Sequence, residues 1–408
     1  MPKILKTLFN INSIYLAIPG LLILIYGPGV FIAIGRLGAT AESLEFVAIF
    51  LSSLLIYFVT YFILKILNQK KLVIENGISI IKSSHIAFFI YFLYIVYVII
   101  TAPKVPLLQA LRGAPATELA FDREMFFKAR TGFDSILVYI NAIFTVAILP
   151  FLVASLYMIK YKFRHYYLLF FILTLLLSME KSLIARAMLP LLVLVINGLV
   201  VDKYLSLKNI FIILSIGLAG ITFLSLGRIA KGDTAVLLQD VIEIDPLTAR
   251  YFIVDNADNT FLFILNRIFW IPYITAVDWL SYFNEVLHRN LVMGASSSAI
   301  SGIFGMERVN LERLVFEFEW GQNESGTGSA NSVYFIDIFL NFGWIGVIVS
   351  NVLLALIVNF FEFCNNNAAK ATFFVYAYFI VTSSLLAVLI SSGLLLFMIL
   401  MLMVKNKT

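Results

Sequence analysis

The sequence predicts an all-α polytopic membrane protein, with about ten transmembrane helices and one large loop outside the cytoplasm. Three observations predict this fold class. The 408-residue chain is 61% hydrophobic and only 13% charged, whereas soluble globular chains carry about 25% charged residues. Its mean hydropathy is +0.97. Apolar runs of about 20 residues, the length that crosses a bilayer, recur along nearly the whole chain.

The apolar runs give the positions of the predicted helices. They lie at about 11–34, 44–67, 86–102, 134–158, 166–180, 184–201, 209–226, 334–361, 371–387 and 390–404. The final stretch, 371–404, would make one helix of about 51 Å at about 1.5 Å per residue, which exceeds a hydrocarbon core of about 30 Å. We therefore divide it near Ser391, Ser392 and Gly393. The stretch 166–201 is divided for the same reason, at Glu180 and Lys181.

Charge predicts the orientation of these helices. With ten spans and both termini in the cytoplasm, the cytoplasmic side holds 14 of the 29 Lys and Arg residues and three acids, Glu75, Asp202 and Glu362. The other side then holds 15 cations and 21 acids. An excess of cations on the cytoplasmic side is the usual arrangement in multi-pass proteins. The sequence therefore predicts a multi-pass inner-membrane protein with both termini in the cytoplasm.

This orientation divides the chain into three parts. Residues 1–226 hold the first seven helices of the transmembrane bundle, with an outer loop at about 103–132. Residues 227–333 form the large outer loop, and residues 334–408 hold the last three helices.

The large outer loop has apolar patches of its own. Residues 261–271 and 299–304 are too short to span a bilayer, so they are predicted to be re-entrant or interfacial helices docked on the bundle. Trp270, Trp279 and Trp320 also lie in this loop and suit a membrane–water boundary.

Composition and motifs exclude several classes of function. The single cysteine, Cys364, allows no intrachain disulfide, and one cysteine with three histidines predicts no His/Cys metal site. The net charge of +5 is attributed to the cytoplasmic face of a membrane protein, so no nucleic-acid partner is predicted. HExxH, GxSxG, Walker and Rossmann patterns are absent, and no cofactor is predicted. The first apolar run is too long for a signal peptide and is predicted to stay as a helix.

The type of cation changes across the membrane. Among the cytoplasmic cations 13 of 14 are lysine, whereas 11 of the 15 outer cations are arginine. The planar guanidinium group binds phosphate or carboxylate through two parallel hydrogen bonds, which lysine cannot do. An arginine-rich outer face therefore suggests a phosphate or pyrophosphate group carried at the membrane surface. The alternative is ordinary ion pairing with the acids of the loop.

Five cations are candidate ligands of such a group. Arg186 begins a helix at the outer boundary, where it either reaches lipid headgroups or faces a substrate cavity. Arg228 and Lys231 lie three residues apart where the seventh helix ends, so they point the same way and suit headgroup phosphates or one ligand phosphate. Arg250 and Arg289 complete the candidate pyrophosphate-binding set.

Three residues of the large loop are candidate general bases. His288 is the only histidine on the outer side, and an unperturbed imidazole suits proton transfer at neutral pH, although lone histidines are often structural. Glu317 and Glu319 flank Phe318, and in an extended segment the two carboxylates share one face. One of them could then take a proton from a sugar hydroxyl, while solvated loop acids are the alternative interpretation.

Three segments carry a resemblance to a known family. The stretch from Gly326 to Gly346 contains the run Asn341-Phe-Gly-Trp-Ile-Gly, Ala185-Arg186-Ala begins a short helix, and Gly294 and Ser296 form a Gly-x-Ser pattern. Together with the layout of the chain, these segments resemble the O-antigen polymerases (Wzy, the polysaccharide repeat-unit polymerases). The polar motif of that family between the last two helices is here only Ser391-Ser392-Gly393.

The resemblance implies a metal-independent membrane glycosyltransferase of the GT-C type, with the fold of O-antigen ligases and SEDS polymerases, in lipopolysaccharide biosynthesis at a bacterial inner membrane. Such an enzyme transfers a growing glycan from undecaprenyl pyrophosphate onto a second lipid-linked repeat unit, and a chain-length regulator is an implied partner. The outer arginines would bind the pyrophosphate, and His288, Glu317 or Glu319 would be the base. An O-antigen ligase of the same fold, and a lipid-linked oligosaccharide flippase or transporter, remain alternatives.

Overall fold

The protein is an all-helical polytopic membrane protein. The structure, a computed structural model, describes residues 7–36, 40–67, 77–127, 134, 136–179, 181–226, 260–321 and 328–404. It is 79% helix and holds no strand in these ranges. A single β-bridge joins Ile78 to Val404.

The described residues up to Leu226 form nine helices. A 3₁₀ turn, Ile11–Leu16, leads into the first of them. They are α1 (Ala17–Arg36), α2 (Ala41–Leu67), α3 (Ile80–Thr101), α4 (Pro106–Arg112), α5 (Ala116–Phe127), α6 (Ile136–Met158, π-helical over Ile143–Ile148), α7 (Arg164–Leu176), α8 (Lys181–Ile196) and α9 (Leu207–Leu226).

The described residues from Thr260 onward form eight more helices. They are α10 (Thr260–Phe269), α11 (Ile271–Glu285), α12 (Ser298–Phe304), α13 (Leu311–Trp320), α14 (Tyr334–Phe363), α15 (Asn367–Thr382), α16 (Leu385–Leu389) and α17 (Leu394–Met403). The core of the bundle is built on α2, α6, α8, α14 and α15, whose facing surfaces are buried apolar side chains.

Within the described ranges, six helical segments are long and apolar enough to cross a membrane. They are Ile11–Gly35, Ala41–Leu67, Ile80–Thr101, Ile136–Met158, Tyr334–Phe363 and Leu385–Met403. The other four predicted spans coincide with α7, α8, α9 and α15, three of which are shorter than about 20 residues, the length expected of a spanning helix. The polytopic helical fold is therefore confirmed, while the count of ten spans stays a prediction.

The last apolar stretch is broken earlier than predicted. We expected one break near Ser391, but α15 already ends at Thr382, and Ser383 is extended with φ −158° and ψ 177°. A second turn follows α16, at Ser391 to Gly393. At the first break the Ser383 hydroxyl donates to the carbonyl of Phe379, at 2.7 Å, and so binds one of the last carbonyls of α15.

Helix α14 is kinked at Gly343, and the kink attaches the large loop to the bundle. Gly343 has φ 62° and ψ −154°, a conformation that is essentially restricted to glycine. The kink frees carbonyl groups at the end of the first helical segment. The backbone N–H of Val292 donates to the carbonyl of Leu340 at 3.1 Å, and that of Met293 donates to Asn341 at 3.0 Å. The Gly-x-Ser segment is therefore held directly against α14.

The large loop also docks on the bundle through α11, which follows the predicted apolar patch at 261–271. Tyr273 of α11 is 1% exposed, its ring lies edge-on to Phe46 at 5.2 Å, and its hydroxyl donates to Ser43 at 3.1 Å. Trp270 and Trp279 are buried in the same core rather than placed at a membrane–water boundary. Their indole rings contribute to packing inside the protein because α11 lies against α1, α2 and α14.

The seating of α11 on α1 depends on Gly29. A Cβ atom there would lie 2.6 Å from Cγ of Tyr273 and 3.1 Å from the carbonyl oxygen of Phe269. We expect Gly29→Ala to destabilise the protein by about 1–3 kcal/mol, the usual cost of overpacking. The measurement is the midpoint of thermal unfolding in detergent. Gly35→Ala is the matched control, because nothing lies within 4 Å of its Cβ. Equal midpoints for the two variants would contradict this docking.

Candidate functional site

The candidate site is a polar cavity of about 440 Å³ between the large loop and the bundle. It is formed by the start of α6, by α11, by the segments around α12 and α13, by the start of α14, and by α16 with the residues on either side of it. The lining residues are Val138, Tyr139, Trp279, Ser296, Ser297, Ser298, Arg308, Asn310, Leu311, Glu312, Asp337, Ser384, Ala387 and Ser391.

Asp337 is the buried carboxylate of this cavity. It lies in the first turn of α14 and is 3% exposed. One carboxylate oxygen, Oδ2, accepts a hydrogen bond from the Ser384 hydroxyl at 2.8 Å. The other, Oδ1, lies 3.4 Å from Oγ of Ser296 and 3.3 Å from Nδ2 of Asn341. Hydroxyl and amide donors on both oxygens suit the ionised form and fix the carboxylate in one orientation.

Asn341 connects Asp337 to the Gly-x-Ser segment. It lies one turn after Asp337, is completely buried, and its Nδ2 donates to the carbonyl of Asp337 at 2.8 Å and to Oγ of Ser296 at 2.9 Å. Its Oδ1 accepts from the backbone N–H of Gly294 at 2.9 Å. Gly294 has φ +87°, and a Cβ there would lie 2.8 Å from Ile300. Glycine is therefore required at this position, and Ser296 is brought to the cavity wall.

The cavity carries charge of both signs. Arg308 precedes α13, is exposed, and is the one cation among the described lining residues. Glu312 lies in the first turn of α13, where its Oε2 accepts from the Ser329 hydroxyl at 3.1 Å. The cavity thus offers two carboxylates, one guanidinium group and several hydroxyls. Tyr139 and Trp279 add aromatic walls, and the combination of rings, hydroxyls and carboxylates suits a polyhydroxylated ligand.

Comparison with known protein families, curated proteins and solved structures gave no match. Function is therefore inferred from the chemistry of the cavity and from the segments that resemble the polymerases. Two of those segments meet here, because Asn341 binds Gly294 and Ser296 through its side chain. Ser391, of the short Ser391-Ser392-Gly393 run, lines the same cavity.

The predicted pyrophosphate ligands lie outside the lining of this cavity where the structure describes them. Arg186 is half-buried, and its guanidinium carbon lies 4.2 Å from the centre of the Phe379 ring in a cation–π contact. Arg289 is exposed and forms an ion pair with Glu45 of α2. Arg228, Lys231 and Arg250 lie outside the described residues. Their role in binding a pyrophosphate stays a prediction.

The three predicted bases are spread over the loop surface and core. His288 is exposed in the turn after α11, with φ 48°, and does not line the cavity. Glu317 and Glu319 lie in α13, a helix and not the extended segment in which they would share a face. Residues two apart on a helix point to different sides. Glu317 is accordingly exposed, whereas Glu319 is 4% exposed and packs on the inner face with Leu311 and Val315.

Sequence reasoning missed Asp337, Glu312, Arg308 and Ser384 as site residues. Asp337 gave a signal that could have been used, because an ionisable residue in an apolar helical segment is by default a functional candidate. Its spacing of four from Asn341 also places both side chains on one helix face. Ser384 gave no such signal.

Among the described residues, no group of three or more His, Cys, Asp and Glu side chains could hold a metal ion.

Proposed function

We propose that the protein polymerises lipid-linked glycan repeat units at the outer leaflet of a bacterial inner membrane. The observation that carries the proposal is the cavity of about 440 Å³, which combines Asp337, Glu312 and Arg308 with hydroxyl groups at the edge of the bundle. A carboxylate can act as the base that takes the proton of a sugar hydroxyl, and a guanidinium group can balance the charge of a leaving pyrophosphate. This cavity contains both groups.

Contacts between helix ends support the proposed topology of ten spans with both termini inside. Tyr61 donates to Glu362 at 2.8 Å, and Nδ2 of Asn197 donates to the carbonyl of Phe9 at 2.7 Å. In each pair, the ten-span topology places both partners on the cytoplasmic side. The cavity, in contrast, joins the starts of α6 and α14 with Ser384, Ala387 of α16 and Ser391, which this topology places outside. A GT-C-type fold with the loop over the outer leaflet agrees with this arrangement.

The proposed reaction transfers a glycan between two lipid carriers. A hydroxyl oxygen of the acceptor sugar attacks the anomeric carbon of the donor glycan, and the bond from that carbon to the pyrophosphate oxygen breaks. The hydroxyl proton goes to a carboxylate, and the undecaprenyl pyrophosphate leaves with the electron pair. We place the base at Asp337, because both of its oxygens are oriented by donors and it lines the cavity, unlike His288, Glu317 and Glu319. Glu312 orients the acceptor hydroxyl.

The leaving pyrophosphate needs cations in place of the divalent metal that many glycosyltransferases use. Arg308 is placed to supply one at the cavity itself. Positive groups that meet charge as it develops stabilise a transition state more than a ground state. Arg186, Arg228, Lys231, Arg250 and Arg289 remain candidates for the approach of the lipid pyrophosphate along the membrane surface.

A transporter of lipid-linked oligosaccharides is the second candidate function, and one observation favours it. Interrupted helices border the site, since α14, which carries Asp337, is kinked at Gly343, and the chain breaks at Ser383, next to Ser384. Transporters use such discontinuous helices for their binding sites. Their sites, however, lie near the middle of the membrane. Asp337 instead lies in the first turn of its segment, close to the loop.

Deletion of the gene separates these functions. For a polymerase, we expect single repeat units on the lipid A core or on the carrier, and no polymer, when surface polysaccharide is resolved on a gel. A plasmid copy of the gene should restore the ladder. Full-length polymer that is not attached to the core would support the ligase. Lipid-linked units confined to the cytoplasmic leaflet would support the transporter.

A further inference from the structure

A second cavity, of about 290 Å³, opens between α3 and α7. It lies toward the end of the bundle that carries the excess of lysine. One face of α3 supplies His85, Phe88, Phe89 and Phe92, at the spacing of a helical stripe. The start of α7 supplies Tyr166, Tyr167 and Phe170. We call these seven residues the aromatic groove.

The floor of the aromatic groove is well packed. The Phe88 and Tyr167 rings meet edge to face with their centres 4.6 Å apart. Nδ1 of His85 lies 2.6 Å from the Tyr167 hydroxyl, and Nε2 lies 3.2 Å from the Tyr161 hydroxyl. Phe89 and Tyr166, in contrast, are 62% and 71% exposed. The groove is therefore a slot with a packed floor and exposed aromatic rims.

The entrance of the groove is positively charged. Lys82 lies one turn before His85, and Lys162 lies next to Tyr161, with its Nζ 5.4 Å from the centre of the Phe163 ring. Both lysines are exposed, and neither pairs with a carboxylate of the described residues. Two helices, α3 and α7, also begin here, and their N-termini carry partial positive charge.

Of the two acids described at this end, Glu362 accepts a hydrogen bond from the Tyr61 hydroxyl, and Asp202 is neutralised by an arginine. Asp202 accepts hydrogen bonds from Nε and Nη2 of Arg164, at 3.0 and 2.7 Å, and its side chain is 4% exposed. The entrance therefore keeps the uncompensated charge of Lys82 and Lys162. A positive entrance above an apolar slot is complementary to a molecule with an anionic head and a hydrocarbon tail.

We propose that the aromatic groove binds an anionic glycerophospholipid of the cytoplasmic leaflet. One acyl chain lies along Phe89, Phe92 and Phe170, and the phosphate lies between Lys82 and Lys162. A protein helix is about 10 Å wide and does not enter a slot of this size between two helices. The inference depends on the proposed orientation but not on polymerase activity, so the lipid site and the polymerase can fail independently.

Native mass spectrometry of the detergent-purified protein tests this site. The protein is titrated with phosphatidylglycerol and with phosphatidylcholine of the same acyl chains, and bound lipid is counted. We expect tighter binding of phosphatidylglycerol, and a loss of about fivefold in its affinity for each of Lys82→Gln and Lys162→Gln, since a basic residue near anionic lipid contributes about 1 kcal/mol. Lys208→Gln, an exposed lysine at the start of α9, is the control and should bind like the wild type.

A second variant tests the hydrocarbon part of the groove. Phe89→Ala with Phe92→Ala removes exposed rings of the rim, so folding is preserved, and we expect weaker binding of both lipids. Equal binding of the two lipids by the wild-type protein would overturn the proposal. A wild-type protein that is dimeric and carries no bound lipid would also overturn the proposal. The groove would then be an interface between two copies of the chain.

Discussion

Replacement of Asp337 by asparagine is expected to reduce polymerisation by on the order of 10²–10⁴, the usual contribution of a general base. Asparagine has the same size and keeps an oxygen for Asn341 and Ser296, while its amide can donate to the Ser384 hydroxyl. It cannot take a proton. The protein should therefore insert and fold normally but leave single repeat units. The measurement is the rate of polymer formation by purified protein on lipid-linked units.

The matched control for this change lies on the same helix. Glu362, at the other end of α14, also accepts hydrogen bonds from a hydroxyl, that of Tyr61 at 2.8 and 3.0 Å. Glu362→Gln should leave the rate within about twofold of wild type, because it removes charge without touching the cavity. A loss in both variants would indicate that α14 needs its carboxylates for folding.

The kinetic parameters separate a base from a purely structural group. A missing base lowers kcat and kcat/KM together, whereas a lost binding contact raises KM with kcat unchanged. We expect the first pattern for Asp337→Asn. Glu312→Gln should show the second, since Glu312 is placed to orient the acceptor. Activity above half of the wild-type rate in Asp337→Asn would show that the base lies elsewhere, and His288 would then be tested next.

The sequence predicted the parts of this molecule that depend on local composition. The ten apolar runs all coincide with helices, and the apolar patches of the loop form α10 and α12. The resemblance also marked Gly294, Ser296 and Asn341, which the fold brings together although they are 45 or more residues apart. A long apolar run predicts a helix strongly, because a segment inside a bilayer has few other ways to satisfy its backbone hydrogen bonds. A glycine is a strong signal where the backbone conformation admits no other residue.

The composition of the cavity could not be predicted in the same way. Asp337 meets Ser384, 47 residues later, and Ser296, 41 residues earlier, and no local pattern specifies such partners. The prediction for Glu317 and Glu319 assumed an extended segment. In the structure the segment is a helix, and Leu311, Val315 and Glu319 lie along its buried face. That stripe could have been recognised, since apolar residues four apart predict a helix.

Arg308→Lys is expected to reduce polymerisation nearly as much as Arg308→Ala, by on the order of 10²–10³, the usual cost of losing one transition-state donor. Lysine keeps the charge but loses the planar fork that binds two phosphate oxygens at once. The guanidinium group lines the cavity from an exposed position before α13, so neither variant should disturb folding. Rates on lipid-linked units and thermal midpoints in detergent measure the two effects separately.

The control for Arg308 is Arg267, an exposed arginine in the last turn of α10 in the same loop. Its lysine and alanine variants should both keep the wild-type rate, because it does not line the cavity. If lysine restores activity at position 308, charge alone is sufficient and the bidentate contact is not required. If EDTA abolishes the wild-type activity and magnesium restores it, a metal ion carries the pyrophosphate charge instead. In that case the arginine-rich outer face serves to pair with the acids of the loop.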